Sequence, residues 1–313
     1  QELVDTIKDL SRNNYNLLHV EHIHLAWLFN QINRNGMLYS LDAHNVETQI
    51  AERMRDMESS PIRKAALSLH ARNMEKFEAY AFNHSNFIMA VSKEDQSHIE
   101  QITQKNTTVS LVENGVDVDY FTPDKTRTLN TFNDLVFVGS MDWLPNIDGV
   151  KWFAQESFPK IKEKFPDCTF TIVGRNPHES IVELGQQIPG VKVTGTVDDV
   201  RAYVRDAAAV VVPLRYGGGT RLKILEAFAM EKPVVSTTLG AEGINYKNNE
   251  NLLLADTPEA IAEKCCELLI DRNQALNIGS KARELALDNY SWHAIISKML
   301  SSLEKVVNNP QLG

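Results

Sequence analysis

A glycine-rich stretch in the second half of the chain carries residues that could bind an anion. It reads RYGGGTRLKILEA and runs from 215 to 227. Its three glycines allow a ligand to approach the main chain closely. Thr220 is a suitable N-cap, so we expect a helix that begins there and runs to Met230. The first turn of that helix, with the charges of Arg221 and Lys223, is typical of a phosphate or diphosphate site.

The same predicted helix carries a carboxylate that could bind a ribose. Glu226 lies one turn beyond Lys223 and can accept two hydrogen bonds from vicinal hydroxyls. In the alternative interpretation the glycines only make a turn, Arg221 is solvated, and Lys223 and Glu226 form a surface ion pair of little value. The strand that precedes the loop and the helix that follows it favour a nucleotide phosphate.

Apolar, β-branched runs alternate with helical patterns along the chain, which predicts an α/β fold with parallel sheets. Six strands are expected in the second half, enough for a complete Rossmann-like sheet: 134–139, 168–174, 191–195, 208–214, 233–237 and 251–255. Four are expected in the first half, a sheet that looks incomplete: 16–20, 37–43, 86–92 and 107–112. Ligands of such sheets bind beyond the carboxyl ends of the strands, where the glycine-rich stretch lies.

Several spaced motifs resemble the retaining GT-B glycosyltransferases of family 4, in a subgroup with the pattern G-G-G-T-R-x-K-x-L-E-A. The glycine-rich stretch matches the donor-binding signature. The further motifs are LDAHNVE (41–47), ENGVDVDYF (113–121), VGSMDWLPNIDGVKWF (138–153), VTGTVDDV (193–200) and STTLGAEGI (236–244). The resemblance implies two Rossmann-like doubly wound domains that face a cleft, and it covers essentially the whole chain.

By this resemblance the second domain binds a nucleoside-diphosphate sugar carrying UDP or GDP. Arg221 and Lys223 would hold the diphosphate and replace the charge that a metal supplies in other transferases, so no cofactor is implied. The implied donor-binding residues are Gly139, Ser140, Val197, Gly218, Gly219, Thr220, Glu226, Gly240, Ala241 and Glu242. Gly218 stands where many relatives carry a sugar-binding glutamate, which leaves the donor sugar open.

The resemblance also implies a role for His44, which directly follows a predicted strand of the first half. It resembles the family histidine near the donor sugar and acceptor, where it would orient and stabilise while a diphosphate oxygen helps deprotonate the acceptor. Asn45 and Glu47 are weaker candidates on the same loop. The alternative is that His44 caps a helix that begins near Val46.

The segment HVEHIH (19–24) invites comparison with a metal site. On an extended strand His22 and His24 would share a face and His19 would point the other way, so three ligands would not converge. An acceptor-side loop is the preferred interpretation.

Composition narrows the class of protein further. The formal net charge of -9 argues against a nucleic-acid binder, and three cysteines without metal or redox spacing favour a reducing, cytoplasmic setting. No apolar run approaches the ~20 residues of a membrane span. The nearest approach to a basic membrane-facing patch is a set of helical residues that we interpret as a solvated face, with peripheral membrane contact unproven: Arg53, Arg55, Arg63, Lys64, Arg72 and Lys76.

The predicted organisation is an acceptor-side domain at 1–113, a linker at 114–133, a donor domain at 134–290 and a C-terminal helix at 291–313 that crosses back to the first domain. Family members usually begin with a strand and a glycine-rich loop, so the resemblance implies a fragment or a shortened first domain. The predicted reaction is sugar transfer to a glycan, a lipid-linked carrier or a small acceptor. A nucleotide-sugar binding module and a GT-B epimerase are the alternatives.

Overall fold

The computed structural model describes residues 2–10, 13, 15–32, 36–103, 107–124, 133–217 and 221–308. The chain divides into two compact units. The first contains residues 1–114 and 295–313, and the second contains residues 115–217 and 221–294. Among the described residues, the chain passes between the units at 114–115 and at 294–295.

The first unit is built on a four-stranded parallel sheet whose spatial order is also the chain order. Its strands are β1 (Leu17–Glu21), β2 (Leu38–Ala43), β3 (Phe87–Ala90) and β4 (Thr108–Leu111). The helices of this part of the chain are α1 (Glu2–Leu10), α2 (Glu47–Met57), α3 (Pro61–His84) and α4 (Lys93–Ile102), with a 3-10 helix at Ile23–Asn30. Strands β2 and β3 are almost wholly buried, as expected of central strands that are covered on both faces.

The second unit is built on a six-stranded parallel sheet. Its strands are β5 (Asp134–Val138), β6 (Thr169–Val173), β7 (Val191–Gly195), β8 (Ala209–Val212), β9 (Val234–Ser236) and β10 (Leu253–Leu254). The spatial order is β10-β9-β8-β5-β6-β7, which is the order of doubly wound dinucleotide-binding sheets. The predicted α/β fold class is confirmed, and each of the ten predicted strands is present within a few residues of its expected bounds.

Helices cover both faces of the second sheet. They are α5 (Leu144–Trp152), α6 (Phe158–Lys164), α7 (Glu179–Gln187), α8 (Arg201–Asp206), α9 (Leu222–Ala229), α10 (Pro258–Ile270) and α11 (Arg272–Leu285). A single apolar cluster runs through this unit and includes the fully buried rings of Phe137, Phe153, Phe158 and Phe170. The strands that carry the site are therefore held by a close-packed core.

A last helix, α12 (Trp292–Val307), begins in the second unit and ends in the first. Ile295 and Val306 on this helix are buried with Leu38, Phe87 and Met89 of the first sheet. Among the described residues no helix is long and apolar enough to cross a membrane.

The segment that follows residue 114 is tied to the start of α12 inside the second unit. The amide of Val116 donates to the carbonyl of Tyr290, and the amide of Trp292 donates to the carbonyl of Val116. A Cβ at Gly115 would lie 2.6 Å from the indole of Trp292, so this glycine is required for the close approach. The start of the predicted linker is thus well anchored, while its residues 125–132 lie outside the described part of the chain.

Candidate functional site

Two of the predicted donor-binding loops follow adjacent strands at the centre of the second sheet. Strand β5 pairs with β6 on one side and with β8 on the other, so the strand order reverses between β5 and β8. Gly139 and Ser140 directly follow β5, and the glycine-rich stretch follows β8. Ligands of doubly wound sheets bind at this reversal because the two loops diverge there and leave a crevice.

Lys223, in the first turn of α9, reaches back to the loop after β5. Its Nζ donates a 2.9 Å hydrogen bond to Asn146 Oδ1 and lies 4.3 Å from the centre of the Phe137 ring. Burial, with a further contribution from the positive charge of Arg221, lowers the pKa of Lys223 to about 7. The ammonium group is thus held where its charge is poorly solvated, so an incoming anion would interact with it strongly.

Arg221 is the N-cap residue of α9 and is 8% exposed. Its guanidinium lies against Gly217, because a Cβ at that glycine would be 3.3 Å from Nη2. Gly217 has a φ of 116°, a left-handed conformation that favours glycine. The alternative of a solvated Arg221 is therefore wrong.

The helix begins two residues later than expected, at Leu222, and ends at Ala229. Gly218, Gly219 and Thr220, including the expected Thr220 cap, lie outside the described residues.

Glu226 lies on the same helix and is half-buried. Burial raises the pKa of its carboxyl group, and the charge of Lys223 partly offsets this effect. Within the described part of the chain Glu226 and Lys223 form no ion pair, since the lysine is directed at Asn146. The interpretation of these two residues as a surface ion pair is therefore wrong, and the carboxylate is positioned independently of the ammonium group.

The loop after β5 is held by a network of side chains. Asn146 Nδ2 donates to the carbonyl oxygen of Ser140 at 2.8 Å, and Ser140 Oγ donates to Asp142 at 2.6 Å. Arg175, from the loop after β6, donates to Ser140 Oγ at 3.0 Å. Hydrogen bonds from Ser140 and Asn176 lower the pKa of Asp142. The structure thus brings a cation, Arg175, to the loop after β5 from the loop that follows the neighbouring strand.

Two glycines allow close contacts around the loop after β5. A Cβ at Gly174 would overlap the carbonyl oxygen of Gly139. A Cβ at Gly139 would lie 2.8 Å from Asn146 Nδ2 and 3.0 Å from Lys223 Nζ. The absence of a side chain at Gly139 therefore leaves room for the contact between Asn146 and Lys223.

The remaining predicted donor-binding residues follow other strands of the same sheet. Val197 is half-buried in the loop after β7, and Glu242 is half-buried after a short 3-10 helix at Leu239–Ala241. Gly240 and Ala241 are buried, and the amide of Gly240 donates to Thr237 Oγ1 at 2.8 Å. All of these residues lie beyond carboxyl ends of strands.

Arg215, the first residue of the glycine-rich stretch, has an internal partner. Its guanidinium makes a two-pronged ion pair with the carboxylate of Asp148 and lies 5.4 Å above the Trp152 ring. Two parallel hydrogen bonds satisfy this charge within the protein. Lys223 and Arg175, by contrast, are directed at the loop after β5.

A second polar cluster lies in the first unit, where β1 and β2 end. His44 Nε2 is 3.7 Å from Glu21 Oε1 and 3.9 Å from Asp42 Oδ2, and its ring stacks on that of His22 with centroids 4.0 Å apart. Burial raises the pKa of Asp42, and the neighbouring His44 opposes this shift. The cluster offers carboxylate and imidazole atoms to hydroxyl groups of a ligand. Sequence spacing placed His44 after a strand, but it did not reveal that Glu21 and Asp42 are register neighbours.

The helix that follows His44 is capped from another element. Helix α2 has Val46 at its N-cap, which offers no side-chain acceptor. Instead Glu78, a fully buried residue of α3, accepts hydrogen bonds from the amides of Glu47 at 2.6 Å and Thr48 at 3.3 Å. The alternative of His44 as the cap is therefore wrong, and the imidazole is left to the cluster with Glu21 and Asp42.

The described residues contain no group of three or more His, Cys, Asp or Glu side chains that could hold a metal ion. His19 bonds to Ser40 Oγ at 2.9 Å, and His22 has a φ of 69° and turns out of the strand to meet His44. The segment HVEHIH thus ends β1 and enters the 3-10 helix at Ile23–Asn30.

Comparison with known proteins supports the α/β fold described above and the resemblance of the sequence motifs to glycosyltransferases. Residues 133–271 match the family model Glycosyl transferases group 1, which is less than half of the chain. A GDP-mannose-dependent alpha-(1-6)-phosphatidylinositol monomannoside mannosyltransferase from Mycobacterium tuberculosis is 27% identical over 161 residues, covering 47% of this chain and 42% of that protein. The chain spans about two fifths of the length of the first curated relatives that it matches, 41–42%.

Solved structures match along nearly the whole chain. Sucrose-phosphate synthase from Thermosynechococcus elongatus has a TM-score of 0.76 at 17% identity, covering 97% of this chain and 77% of that one. HepE from Anabaena, solved with UDP and glucose, has a TM-score of 0.71 at 14% identity, covering 97% and 81%. These likenesses show that the chain has the GT-B fold, and together with the family match they support a glycosyltransferase of the GT-B type.

Proposed function

We propose that this protein is a glycosyltransferase that moves a sugar from a UDP- or GDP-linked donor to an acceptor hydroxyl, with retention of anomeric configuration. The observation that carries the proposal is the arrangement of Lys223, Asn146 and Gly139 at the reversal of strand order in the second sheet. A cation held at the carboxyl ends of parallel strands, beside the start of a helix, is suited to a diphosphate.

On the donor side, Lys223 and Arg221 supply the positive charge that stabilises the departing nucleoside diphosphate. Both residues lie at the N-terminal end of α9, so the helix dipole adds to their charge. Preorganised charges in a poorly hydrated site stabilise a leaving group more than they would in water. In this proposal no metal ion is needed for departure of the nucleotide, and Glu226 accepts hydrogen bonds from the ribose hydroxyls.

On the acceptor side, His44 contacts the transferred sugar and the acceptor. The carboxylates of Glu21 and Asp42 restrain its imidazole and present acceptors to hydroxyl groups. His44 orients and stabilises in this scheme, and a diphosphate oxygen takes the proton of the attacking hydroxyl. The new bond then forms on the face from which the nucleotide leaves, which retains the configuration.

The names of the relatives suggest which substrates to test first. The mycobacterial relative is named for GDP-mannose and a phosphatidylinositol monomannoside, and HepE was solved with UDP and glucose. We therefore propose a glycan or lipid-linked acceptor and either nucleotide. The buried free thiols of Cys168, Cys265 and Cys266 suit the reducing cytoplasm that we propose as the location, with any membrane contact peripheral.

The proposal is tested by incubating the protein with UDP- and GDP-sugars and following donor hydrolysis and transfer to candidate acceptors. Nucleotide binding without turnover would instead favour a binding module. A changed sugar that stays attached to the nucleotide would instead indicate an epimerase.

The binding site is tested separately by calorimetry with UDP, GDP and inorganic diphosphate. Lys223→Ala should weaken all ligands that the wild type binds by more than about tenfold, or about 1.4 kcal/mol. Glu226→Ala should weaken the nucleotides by a similar factor and leave inorganic diphosphate unaffected, because that ligand has no ribose. Lys192→Ala, at an exposed lysine of β7, is the matched control. Unchanged nucleotide affinity in both site variants would refute the assignment.

A further inference from the structure

We propose that Asn146 is a positioning residue of the diphosphate site, which holds Lys223 and the loop after β5 as one unit. The inference rests on the proposed function, because it deepens the description of the same site. It concerns a residue for which the sequence motifs implied no role.

Both polar atoms of the Asn146 side chain have a hydrogen-bond partner. It is 6% exposed, its Nδ2 donates to the carbonyl of Ser140 at 2.8 Å, and its Oδ1 accepts from Lys223 Nζ at 2.9 Å. A primary amide can donate to a carbonyl and accept from an ammonium group at once. Leucine in its place would have a similar size and neither capability.

The hydrogen bond from Lys223 to Asn146 fixes the position of the ammonium group. A lysine stem has four rotatable bonds, and holding such a side chain in one rotamer costs about 1.5–2 kcal/mol of conformational entropy. Within the described part of the chain Lys223 Nζ makes one hydrogen bond, to Asn146 Oδ1, and it lies 4.3 Å from the centre of the Phe137 ring. Asn146 therefore places the charge beside Gly139, where the loop after β5 and the start of α9 converge.

The same hydrogen bond, between Asn146 and Lys223, also affects the protonation of the lysine. The charged groups that act on its ammonium are Arg221 and Glu226 on its own helix, while β5 contributes a phenyl ring and the segment at the start of α5 contributes the neutral amide. A neutral partner leaves the charge of the lysine uncompensated and available to a ligand. Since the pKa of Lys223 is about 7, a diphosphate that needs the ammonium form takes up a proton from solvent when it binds above that pH.

The inference is tested by calorimetry, in which binding of UDP, GDP and inorganic diphosphate is measured between pH 6.5 and 9. Asn146→Leu should weaken diphosphate binding about tenfold. It should have no further effect in a Lys223→Met background if Asn146 acts through the lysine. Equal losses in the two backgrounds would overturn the inference. Asn273→Ala, at an exposed asparagine of α11, is the matched control and should bind as the wild type does.

Asn146→Asp gives a result that a purely structural role would not produce. The added carboxylate raises the proton affinity of Lys223, so affinity should begin to fall at a higher pH than in the wild type, where it falls by up to about tenfold per pH unit above neutrality. Proton uptake on binding, measured at pH 8 in buffers of different ionisation heats, should decrease. A pH profile that keeps the wild-type midpoint would overturn the inference.

Failure of the inference and failure of the proposed function have different outcomes. If Asn146→Leu binds UDP, GDP and diphosphate as the wild type does, the inference is wrong and transfer is unaffected. If the variants behave as expected and no donor is hydrolysed or transferred, the inference stands and the proposed reaction is wrong. A wild-type protein that binds none of the three ligands would overturn both.

Discussion

Replacing Lys223 by methionine should stabilise the ligand-free protein while it weakens nucleotide binding. Methionine keeps the length and apolar character of the stem and removes the ammonium group. The wild-type protein holds this charge next to Arg221 and in a poorly hydrated environment, so removing it relieves an unfavourable interaction. Such an exchange of stability for function is common where a site must attract an anion.

The size of the effect follows from the pKa of Lys223, about 7 against an ordinary 10.5. Between these two pH values the unfolded chain binds more protons than the folded one, so the free energy of unfolding of the wild type rises with pH across the window. The destabilisation that results from holding a charged Lys223 in the folded protein is complete below pH 7 and absent above about pH 10.5. Each tenfold change in proton affinity is worth about 1.4 kcal/mol, which sets an upper limit of about 4 kcal/mol at pH 7.

Two effects reduce this limit. Water reaches part of a half-buried side chain, which lowers the penalty to on the order of 2 kcal/mol. The variant also loses the hydrogen bond to Asn146, worth about 1 kcal/mol. A net gain of about 1 kcal/mol remains at pH 7, which raises the melting temperature of a unit of this size by about 2–4 °C.

The assay is thermal unfolding without ligand at pH 7, 8, 9 and 10. The gain in melting temperature of Lys223→Met over the wild type should be largest at pH 7 and should decline as the pH rises. Lys192→Met, at an exposed lysine of β7, should show no such trend. A lower melting temperature for Lys223→Met at pH 7, or a difference that does not vary with pH, would refute the reasoning.

Three further variants test other parts of the structure. Gly174→Ala should destabilise the protein by on the order of 3 kcal/mol and impair UDP binding, because its Cβ would overlap the backbone of the loop after β5; an unchanged melting temperature and affinity would contradict this. Glu78→Ala removes the acceptor for the first amides of α2 and should cost about 1–2 kcal/mol in denaturant unfolding. Glu75→Ala, exposed on the same helix, should cost less than about 0.5 kcal/mol, and equal losses would argue against the cap. His44→Ala should lower the rate of sugar transfer at least about tenfold and leave UDP or GDP affinity unchanged, since its proposed contacts are with sugar and acceptor; a loss of nucleotide affinity instead would be evidence against that role.

The strands were predictable because their signal is local. Runs such as DLVFV and AVVV are apolar, β-branched and bounded by turn residues, which is the pattern of buried parallel strands. The strand order of the second sheet also follows from alternation of strands and helices, since parallel connections of one hand leave few arrangements. Helix bounds were less accurate, and α9 begins two residues after the expected position because the predicted cap relied on side-chain type alone.

The candidate site was predictable in part. The placement of Lys223, Glu226 and Gly139 beyond strand ends follows from motif and spacing. The partner of Lys223 could not be predicted, because 77 residues separate it from Asn146 and a lysine with a glutamate one turn away suggests an ion pair instead. The role of Glu78 could not be predicted either, because the helix that it caps, α2, begins 31 residues earlier in the chain.

The sequence by itself determined the elements of this protein and the residue types at their ends: parallel strands, glycine-rich turns, and cations on the first turn of α9. These follow from backbone preferences and periodicity, which act over a few residues. Only the tertiary structure decided which polar groups meet, that is, the amide of Asn146 with the ammonium of Lys223 and the imidazole of His44 with Glu21 and Asp42. Hydrogen bonds and burial depend on distances across the fold, so the charge state of the site is a property of packing.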